Sequence, residues 1–380
     1  MSEFNPMEEM GFVHDKQLVC SCRGFLEMDN NARDLCERFI SNGGKFYDMI
    51  TRYEDVIEYV LNRDTGRSGN TMRMITPFLK AFGATDYGMF SYSRDTLRTM
   101  PESKRVMGYL MSMMPTFLTT TAYEHSVMCL CDALDVPRGI VDCTEVNMDG
   151  FEFSRQEART LRDFVAEINS LRLPNREYEI NVPTNLDMSE IAMVKTLDEI
   201  LTKKMDNLEA TKMMRNMKSV GTNDKALYLL DIRKRTQIDL DGTAYIGGDV
   251  TDYQALDLVR DMSGLSMSFN GSDFAVRGCN IAVMSRDCTV AAVLVQSFYN
   301  EGIESVLELV HNWNRESLSK IDFPDRYLMD AMLTANPKKL PEVYAVDRHN
   351  VDEIAKKSDK YRKNLLRTAP TPSATRYGTA

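Results

Sequence analysis

The sequence predicts an α/β protein with a doubly wound parallel sheet, mainly helical insertions and a helical C-terminal extension. Two observations support this fold class. From residue 220 to about 300, short apolar segments alternate with segments that carry apolar residues at helical spacing, which is typical of a parallel sheet with helices on both faces. The strand segments are nearly continuous apolar runs, as expected when both faces of a sheet are covered.

The predicted strands follow this pattern along the chain. They are LVC (18–20), TFL (116–118), GIVDC (139–143), TAYIGG (243–248), LSMSF (265–269) and NIAVMS (280–285). Helical segments lie between them, and one of these begins at Ser154, where Glu157 follows three residues later as in a capping box. With 380 residues, the chain is longer than one compact core usually needs.

The predicted organisation is therefore a core interrupted by insertions. We expect three stretches, 15–29, 113–145 and 216–302, to form the α/β core. Helical insertions separate them at 30–112 and 146–215. A helical extension follows at 303–367, and the tail 368–380, rich in Pro, Ser, Thr and Gly, is expected to be disordered.

The composition excludes several classes of protein. Lys and Arg total 46 and Asp and Glu total 56, so the net charge of −10 argues against a nucleic-acid-binding protein. No apolar run of about 18 residues and no signal-peptide pattern is present, which predicts a soluble cytoplasmic protein without membrane insertion. The eight scattered cysteines are predicted to be buried, reduced thiols.

The stretch YIGGDVTDYQAL, residues 245–256, places two carboxylates after a buried strand. One interpretation is a magnesium site, because Mg²⁺ prefers carboxylate oxygens. The other is a loop whose aspartates, Asp249 and Asp252, cap the following helix.

Several motifs resemble the haloacid-dehalogenase-like (HAD-like) superfamily. The strongest match runs from Lys218 to Ser285 and contains KSVGTNDKA, YIGGDVTDY and MSFNGSDFAVRGCNIAVMS. Weaker matches are FLTTTAYEHS with DCTEVNMDG, and LVCSCRGFLEMDNNARDLC. More narrowly, the chain resembles an archaeal branch described as energy-converting hydrogenase A, subunit R-like. The resemblance covers about residues 15–300 and implies a Rossmann-like core, cap domains at the two insertions and chemistry at the carboxyl ends of the strands.

The resemblance also implies roles for individual residues. The family has an aspartate nucleophile at the end of its first strand and an acid/base aspartate two residues later. Ser21 and Arg23 occupy these positions here, so both catalytic positions are degenerate. Arg23 is predicted to pair with the acidic loop and to replace the metal electrostatically.

The remaining positions are predicted to bind a ligand or a metal. Thr119 and Thr120 match the hydroxyl-bearing position after the second strand, Lys225 matches the phosphate-binding lysine, and Asn270 lies in FNGSDF. The family separates its two metal-binding aspartates by three residues, whereas only two separate Asp249 from Asp252. If Asp252 keeps its place, Gly248 stands where the first aspartate should be.

These departures predict a phosphatase-like pseudoenzyme that binds a partner protein or a small phosphorylated ligand. We expect no cofactor, and Mg²⁺ only if the protein is active. The alternatives are a phosphohydrolase or phosphotransferase with atypical catalytic residues, and an assembly subunit of a larger archaeal complex.

Overall fold

The computed structural model describes residues 14–63, 69–174, 185–321 and 326–368. The predicted tail 368–380 lies outside these ranges except for Thr368. In the described residues one sheet contains the strands β1 Gln17–Ser21, β2 Thr116–Tyr123, β3 Val141–Thr144, β4 Thr243–Gly247, β5 Leu265–Phe269, β6 Ile281–Met284 and β7 Glu342–Ala345. Each predicted strand overlaps one of the first six.

The sheet order is β3-β2-β1-β4-β5-β6-β7. The first six strands are parallel, and β7 pairs antiparallel with β6. The order reverses at β1, which lies between β2 and β4, and such a switch point opens a crevice at the carboxyl ends of the strands. The predicted doubly wound α/β fold with helical additions is confirmed.

The helices cover both faces of the sheet and build the insertions. In chain order they are α1 Asn31–Phe39, α2 Gly43–Asp55, α3 Asn70–Ala81, α4 Asp86–Thr96, α5 Ser103–Met113, α6 Glu124–Leu134, α7 Arg155–Ser170, α8 Met188–Glu199, α9 Glu209–Asn216, α10 Thr222–Thr236, α11 Tyr253–Asp261, α12 Asp273–Gly278, α13 Thr289–Glu301, α14 Ile303–His311, α15 Arg315–Lys320, α16 Tyr327–Ala335 and α17 Val351–Thr368. The predicted cap at Ser154 is present, because its Oγ accepts the amide proton of Glu157 at 3.1 Å.

The two helical insertions share one apolar core. Phe46 and Phe78 of the first insertion make an edge-to-face contact, with ring centroids 5.1 Å apart. Leu161 and Met213 of the second insertion belong to the same buried cluster. The helix α5 differs, because Val106 packs in the cluster that lies against the sheet. The end of the first predicted insertion thus packs with the core.

The C-terminal extension is not only helical. It supplies β7, in which Val343 pairs with Val283 of β6. Its last helix, α17, is anchored beside the sheet, because Ser358 donates a hydrogen bond of 2.7 Å to the carbonyl of Gly271. This docking carries Arg362 to the carboxyl ends of β4 and β5.

Two other predictions bear on the whole chain. All eight cysteines are free and buried, as predicted. In the part of the chain that the structure describes, no helix combines the length and apolar character needed to cross a membrane.

Candidate functional site

Ser21 lies at the carboxyl end of β1, in register with Thr119 of β2. Both side chains are buried. The Oγ of Ser21 accepts a hydrogen bond of 3.2 Å from the Nζ of Lys225. The structure therefore brings together the predicted nucleophile position, hydroxyl position and lysine. Because Ser21 carries a neutral hydroxyl, this position lacks the negative charge that an aspartate would supply.

Lys225 and Asp252 form a buried ion pair with an Nζ–Oδ1 distance of 2.7 Å. Every carboxylate oxygen of Asp252 is used by the protein. Oδ1 also accepts from the hydroxyl of Tyr245 at 3.0 Å, and Oδ2 accepts the amides of Gly248 and Asp249, each at 2.8 Å. A buried charge requires such partners.

Asp249 lies between two guanidinium groups. Its Oδ2 is 3.1 Å from Arg23 and 3.1 Å from Arg362. The predicted pairing of Arg23 with the acidic loop is confirmed, whereas Arg362 was not foreseen. Burial alone would raise the pKa of Asp249, but Arg362, Arg23 and Lys225 hold it well below its usual range.

Arg362 is held by main-chain groups as well as by Asp249. Its Nη1 donates to the carbonyl of Gly248 at 2.6 Å and to that of Asn270 at 3.3 Å. Burial lowers the pKa of Arg362, and the charge of Asp249 opposes that effect. This contact fastens α17 to the loops after β4 and β5.

The two interpretations of YIGGDVTDY can now be compared. Asp249 caps the short 3₁₀ turn Val250–Asp252, because its Oδ1 accepts the amide of Val250 at 3.0 Å. The Oδ2 of Asp252 accepts the amide protons of Gly248 and Asp249. The aspartates thus cap the 3₁₀ turn, whereas the following helix α11 receives no side-chain cap from Asp252. The carboxylates are also neutralised by cations of the same chain.

The residues at this loop do not fit a magnesium ion. Mg²⁺ needs near-octahedral oxygen ligands, yet the oxygens of Asp252 and the Oδ2 of Asp249 already accept hydrogen bonds from cations and amides. In the described ranges, no group of three His, Cys, Asp or Glu side chains is arranged to hold a metal ion. Gly248 offers no room for the missing aspartate, since a Cβ there would lie 2.7 Å from the carbonyl oxygen of Phe269.

The predicted ligand-binding residues differ in their surroundings. The Oγ1 of Thr119 is buried and has no hydrogen-bond partner in the described structure. Thr120 faces a cavity, and its Oγ1 accepts the amide of Ala122 at 3.2 Å. Asn270 instead connects the segments that contain Gly24 and Ser285. Its Nδ2 donates to Ser285 and Gly24, and its Oδ1 accepts the amide of Ser285. The amide of Asn270 is thus used within the protein, and its assigned ligand-binding role stays a prediction.

A cavity of about 130 Å³ lies between the sheet and the first insertion. Arg23, Thr120 and Asp249 line it from the core. Tyr47 and Glu54 line it from α2. The cavity thus touches the ion-paired loop on one side and the helical insertion on the other.

Comparisons with known proteins support the fold. Neither a protein-family model nor a curated protein matches the sequence. The structure is similar to that of gene product AF1437 from Archaeoglobus fulgidus, with a TM-score of 0.74 and 20% sequence identity over 93% of this chain and 97% of that chain. At this identity the likeness shows that the two chains share a fold.

Weaker likenesses involve hydrolases. A phospho-aspartyl intermediate analogue of phosphoserine phosphatase gives a TM-score of 0.44 at 9% identity, covering 74% of this chain and 99% of that chain. A HAD family hydrolase from Salmonella enterica gives 0.40 at 9% identity, covering 68% and 63%. Scores of this size carry no conclusion about function.

Proposed function

We propose that this chain is a HAD-like protein that has lost metal-dependent phosphoryl transfer and acts by binding a ligand in the cavity beside its acidic loop. The observation that supports this proposal is the double pairing of Asp249 with Arg23 and Arg362. Two guanidinium groups occupy the side of the carboxylate where a divalent cation would have to bind. A cation arriving there would meet like charge.

The catalytic positions support the same proposal. Phosphoryl transfer through a covalent intermediate needs a nucleophile and a group that moves protons. Ser21 already accepts a hydrogen bond from Lys225, and no general base among the described residues contacts its hydroxyl. Arg23 stays protonated at neutral pH and cannot act as the acid/base.

A phosphatase assay tests the proposal. The full chain is incubated with Mg²⁺ and p-nitrophenyl phosphate, and then with a panel of phosphorylated metabolites. We expect no turnover above background and no magnesium-dependent rise in melting temperature. An Asp249→Asn variant separates true activity from contamination, because a contaminating phosphatase would remain in that preparation. Magnesium-dependent turnover that disappears in the variant would overturn the proposal.

A phosphorylated ligand is a second candidate, and one observation favours it. Arg23, Lys225 and Arg362 outnumber Asp249 and Asp252 by one formal charge at the loop. The Oγ1 of Thr119 has no hydrogen-bond partner among the described residues. It lies at the position that the resemblance assigns to phosphate binding, and its hydroxyl can donate to a phosphate oxygen. Inorganic phosphate and phosphate esters should then raise the melting temperature of the wild type, and Arg23→Met should abolish this rise. Assembly with a protein partner stays a prediction.

A further inference from the structure

One oxygen of a buried carboxyl beside the cavity has no hydrogen-bond partner among the described residues. Glu27 lines the cavity, and its side chain belongs to a residue that is only 3% exposed. Its Oε2 is buried and makes no hydrogen bond within the described residues. A buried acceptor without a donor is unfavourable by about 1–3 kcal/mol, so this oxygen marks a place for a donor that the protein itself does not supply.

Among the described residues that line the cavity, carboxyl groups outnumber cations. There are five carboxyl groups and a single guanidinium, that of Arg23. The carboxyl-bearing residues are Glu27, Asp29, Glu54, Asp55 and Asp249.

Three of these five carboxyls have counter-ions. Asp249 is paired with Arg23 as described. Asp29 is paired with Arg98, and Asp55 lies 3.5 Å from Arg52.

The other two carboxyls have no cation in direct contact among the described residues. Glu54 accepts only neutral donors, the amide and the hydroxyl of Thr71, at 2.9 and 2.8 Å. Burial raises the pKa of Glu27 to about 8, with the nearby Asp29 raising it further and Arg23 lowering it. Burial likewise raises the pKa of Glu54 to about 8. Both shifts come mainly from burial, which disfavours the ionised carboxylate when no cation contacts it.

The missing cation is better supplied by an organic ammonium group than by a metal ion. The described side chains form no three-ligand metal cluster, whereas an ammonium group needs only separate acceptors. Hydroxyls of Thr120, Thr121 and Tyr47 also line the cavity and can bind a polar remainder. A volume of about 130 Å³ limits the ligand to a small molecule.

We propose that this cavity binds a small organic ammonium ion, whose charged group donates a hydrogen bond to the Oε2 of Glu27. This inference rests on the proposed function, since it assigns the same cavity to binding. Arg23 and Asp249 line the cavity, and each has 29% of its side chain exposed. The bound ion neutralises the carboxyl of Glu27.

Isothermal titration calorimetry of the full chain tests this proposal. The probe is ethanolammonium chloride, compared at equal ionic strength with sodium chloride and with the neutral ethylene glycol. We expect saturable one-to-one binding of ethanolammonium but not of sodium ions or ethylene glycol. Equal binding of sodium ions or of ethylene glycol would overturn the proposal, as would the absence of any saturable heat.

Two variants connect the binding to Glu27. Glu27→Gln should weaken ethanolammonium binding by about tenfold or more, because it removes a charge-assisted hydrogen bond. Glu316→Gln, a change at an exposed residue on α15, should leave the affinity unchanged. An unchanged affinity in folded Glu27→Gln would overturn the proposal.

A measurement on the wild type covers the case in which Glu27→Gln fails to fold. Binding at pH 7 should release protons, because an ammonium ion stabilises the ionised forms of Glu27 and Glu54. Titration in buffers of different ionisation enthalpy measures this release. The other titratable or charged groups facing the cavity are Arg23, Asp29, Tyr47, Asp55 and Asp249, with Arg52 and Arg98 as their partners. Binding without proton release would contradict the assignment to Glu27. Because no step of this test involves turnover, its failure leaves the phosphatase result unaffected.

Discussion

The guanidinium of Arg362 and the carboxylate of Asp249 lie 3.1 Å apart, although 113 residues separate them in the chain. The contact joins the last described helix, α17, to the loop after β4. Arg362 also donates to the carbonyls of Gly248 and Asn270. The acidic loop is therefore completed by the C-terminal extension and not by the α/β core alone.

Replacing Arg362 should destabilise the fold measurably. Arg362→Met leaves the carbonyl of Asn270 without the Arg362 donor, and that of Gly248 with only the amide of Ser272. It also leaves Asp249 with one guanidinium instead of two. We expect a loss of about 2–3 kcal/mol in the free energy of unfolding, measured by urea denaturation. Lys363→Met is the matched control, because Lys363 belongs to a partly exposed ion pair on the same helix. It should change stability by less than about 1 kcal/mol. Equal losses in the two variants would contradict a special role for Arg362.

Replacing Lys225 should be more damaging still. Lys225→Met leaves the carboxylate of Asp252 buried without its counter-ion, and we expect a loss of about 3–5 kcal/mol in the free energy of unfolding. The double variant Lys225→Met, Asp252→Asn should recover part of this loss, because it also removes the stranded charge. Lys212→Met alters an exposed pair with Glu209 and should have little effect. A double variant no more stable than the single one would show that the loss is not electrostatic.

Adding a methyl group at Gly248 tests the close packing of the acidic loop. A Cβ at this position would lie 2.7 Å from the carbonyl oxygen of Phe269, and a backbone atom cannot move aside cheaply. Gly248→Ala should therefore destabilise the protein by about 1–3 kcal/mol, measured by thermal unfolding. Gly108→Ala, in a helix where nothing lies within 4 Å of the added atom, should instead stabilise it by about 0.5–1 kcal/mol. A neutral Gly248→Ala would show that the loop can shift to admit a side chain.

The stability of the protein should fall as the pH rises from about 4.5 to about 8. The pKa of Glu54 is raised from 4.5 to about 8 in the folded protein by burial. Between these values the unfolded chain releases a proton that the folded chain retains, so stability is full below 4.5 and is lost as pH rises through 8. The slope approaches about 1.4 kcal/mol per pH unit for each such group. Urea denaturation across this range measures it.

Glu54→Gln should flatten that slope, because the uncharged amide still accepts the amide proton of Thr71. Glu27 contributes in the same window, since its pKa is also about 8, so some slope should remain. Asp249 does not contribute there, because its pKa lies below the usual range. A slope identical in wild type and Glu54→Gln would contradict the assignment.

Local patterns in the sequence predicted the sheet and part of the site. The strand after Asp15, the helix beginning at Ser154 and the strand before Asp249 are each recognisable from a few neighbouring residues. The Arg23–Asp249 pair was predicted from the resemblance, which assigns Arg23 and the acidic loop to the same site, and the contact of 3.1 Å agrees with that prediction. Lys225 was placed beside Ser21 by the resemblance, and the contact of 3.2 Å agrees with that placement.

The long-range contributions could not be predicted. Arg362 lies in RKNLLR, which is typical of a solvated helix face, and only the docking of α17 buries it. Glu27 follows a glycine turn in a segment without periodicity, so no pattern marked its burial. Strand β7 is four residues long, and its pairing depends on an edge of the sheet that is distant in sequence. In each case, contacts between residues distant in sequence determine the burial of the side chain or the pairing of the strand.

The position of Arg362 near the end of the chain also matters during synthesis. At about 5–20 residues per second, a ribosome adds Arg362 roughly 6–23 s after Asp249, since 113 residues separate them. For that interval Asp249 lacks one of the two guanidinium groups that contact it among the described residues. The last described helix therefore completes the acidic loop late in synthesis, and a chain released before Arg362 is added lacks this contact.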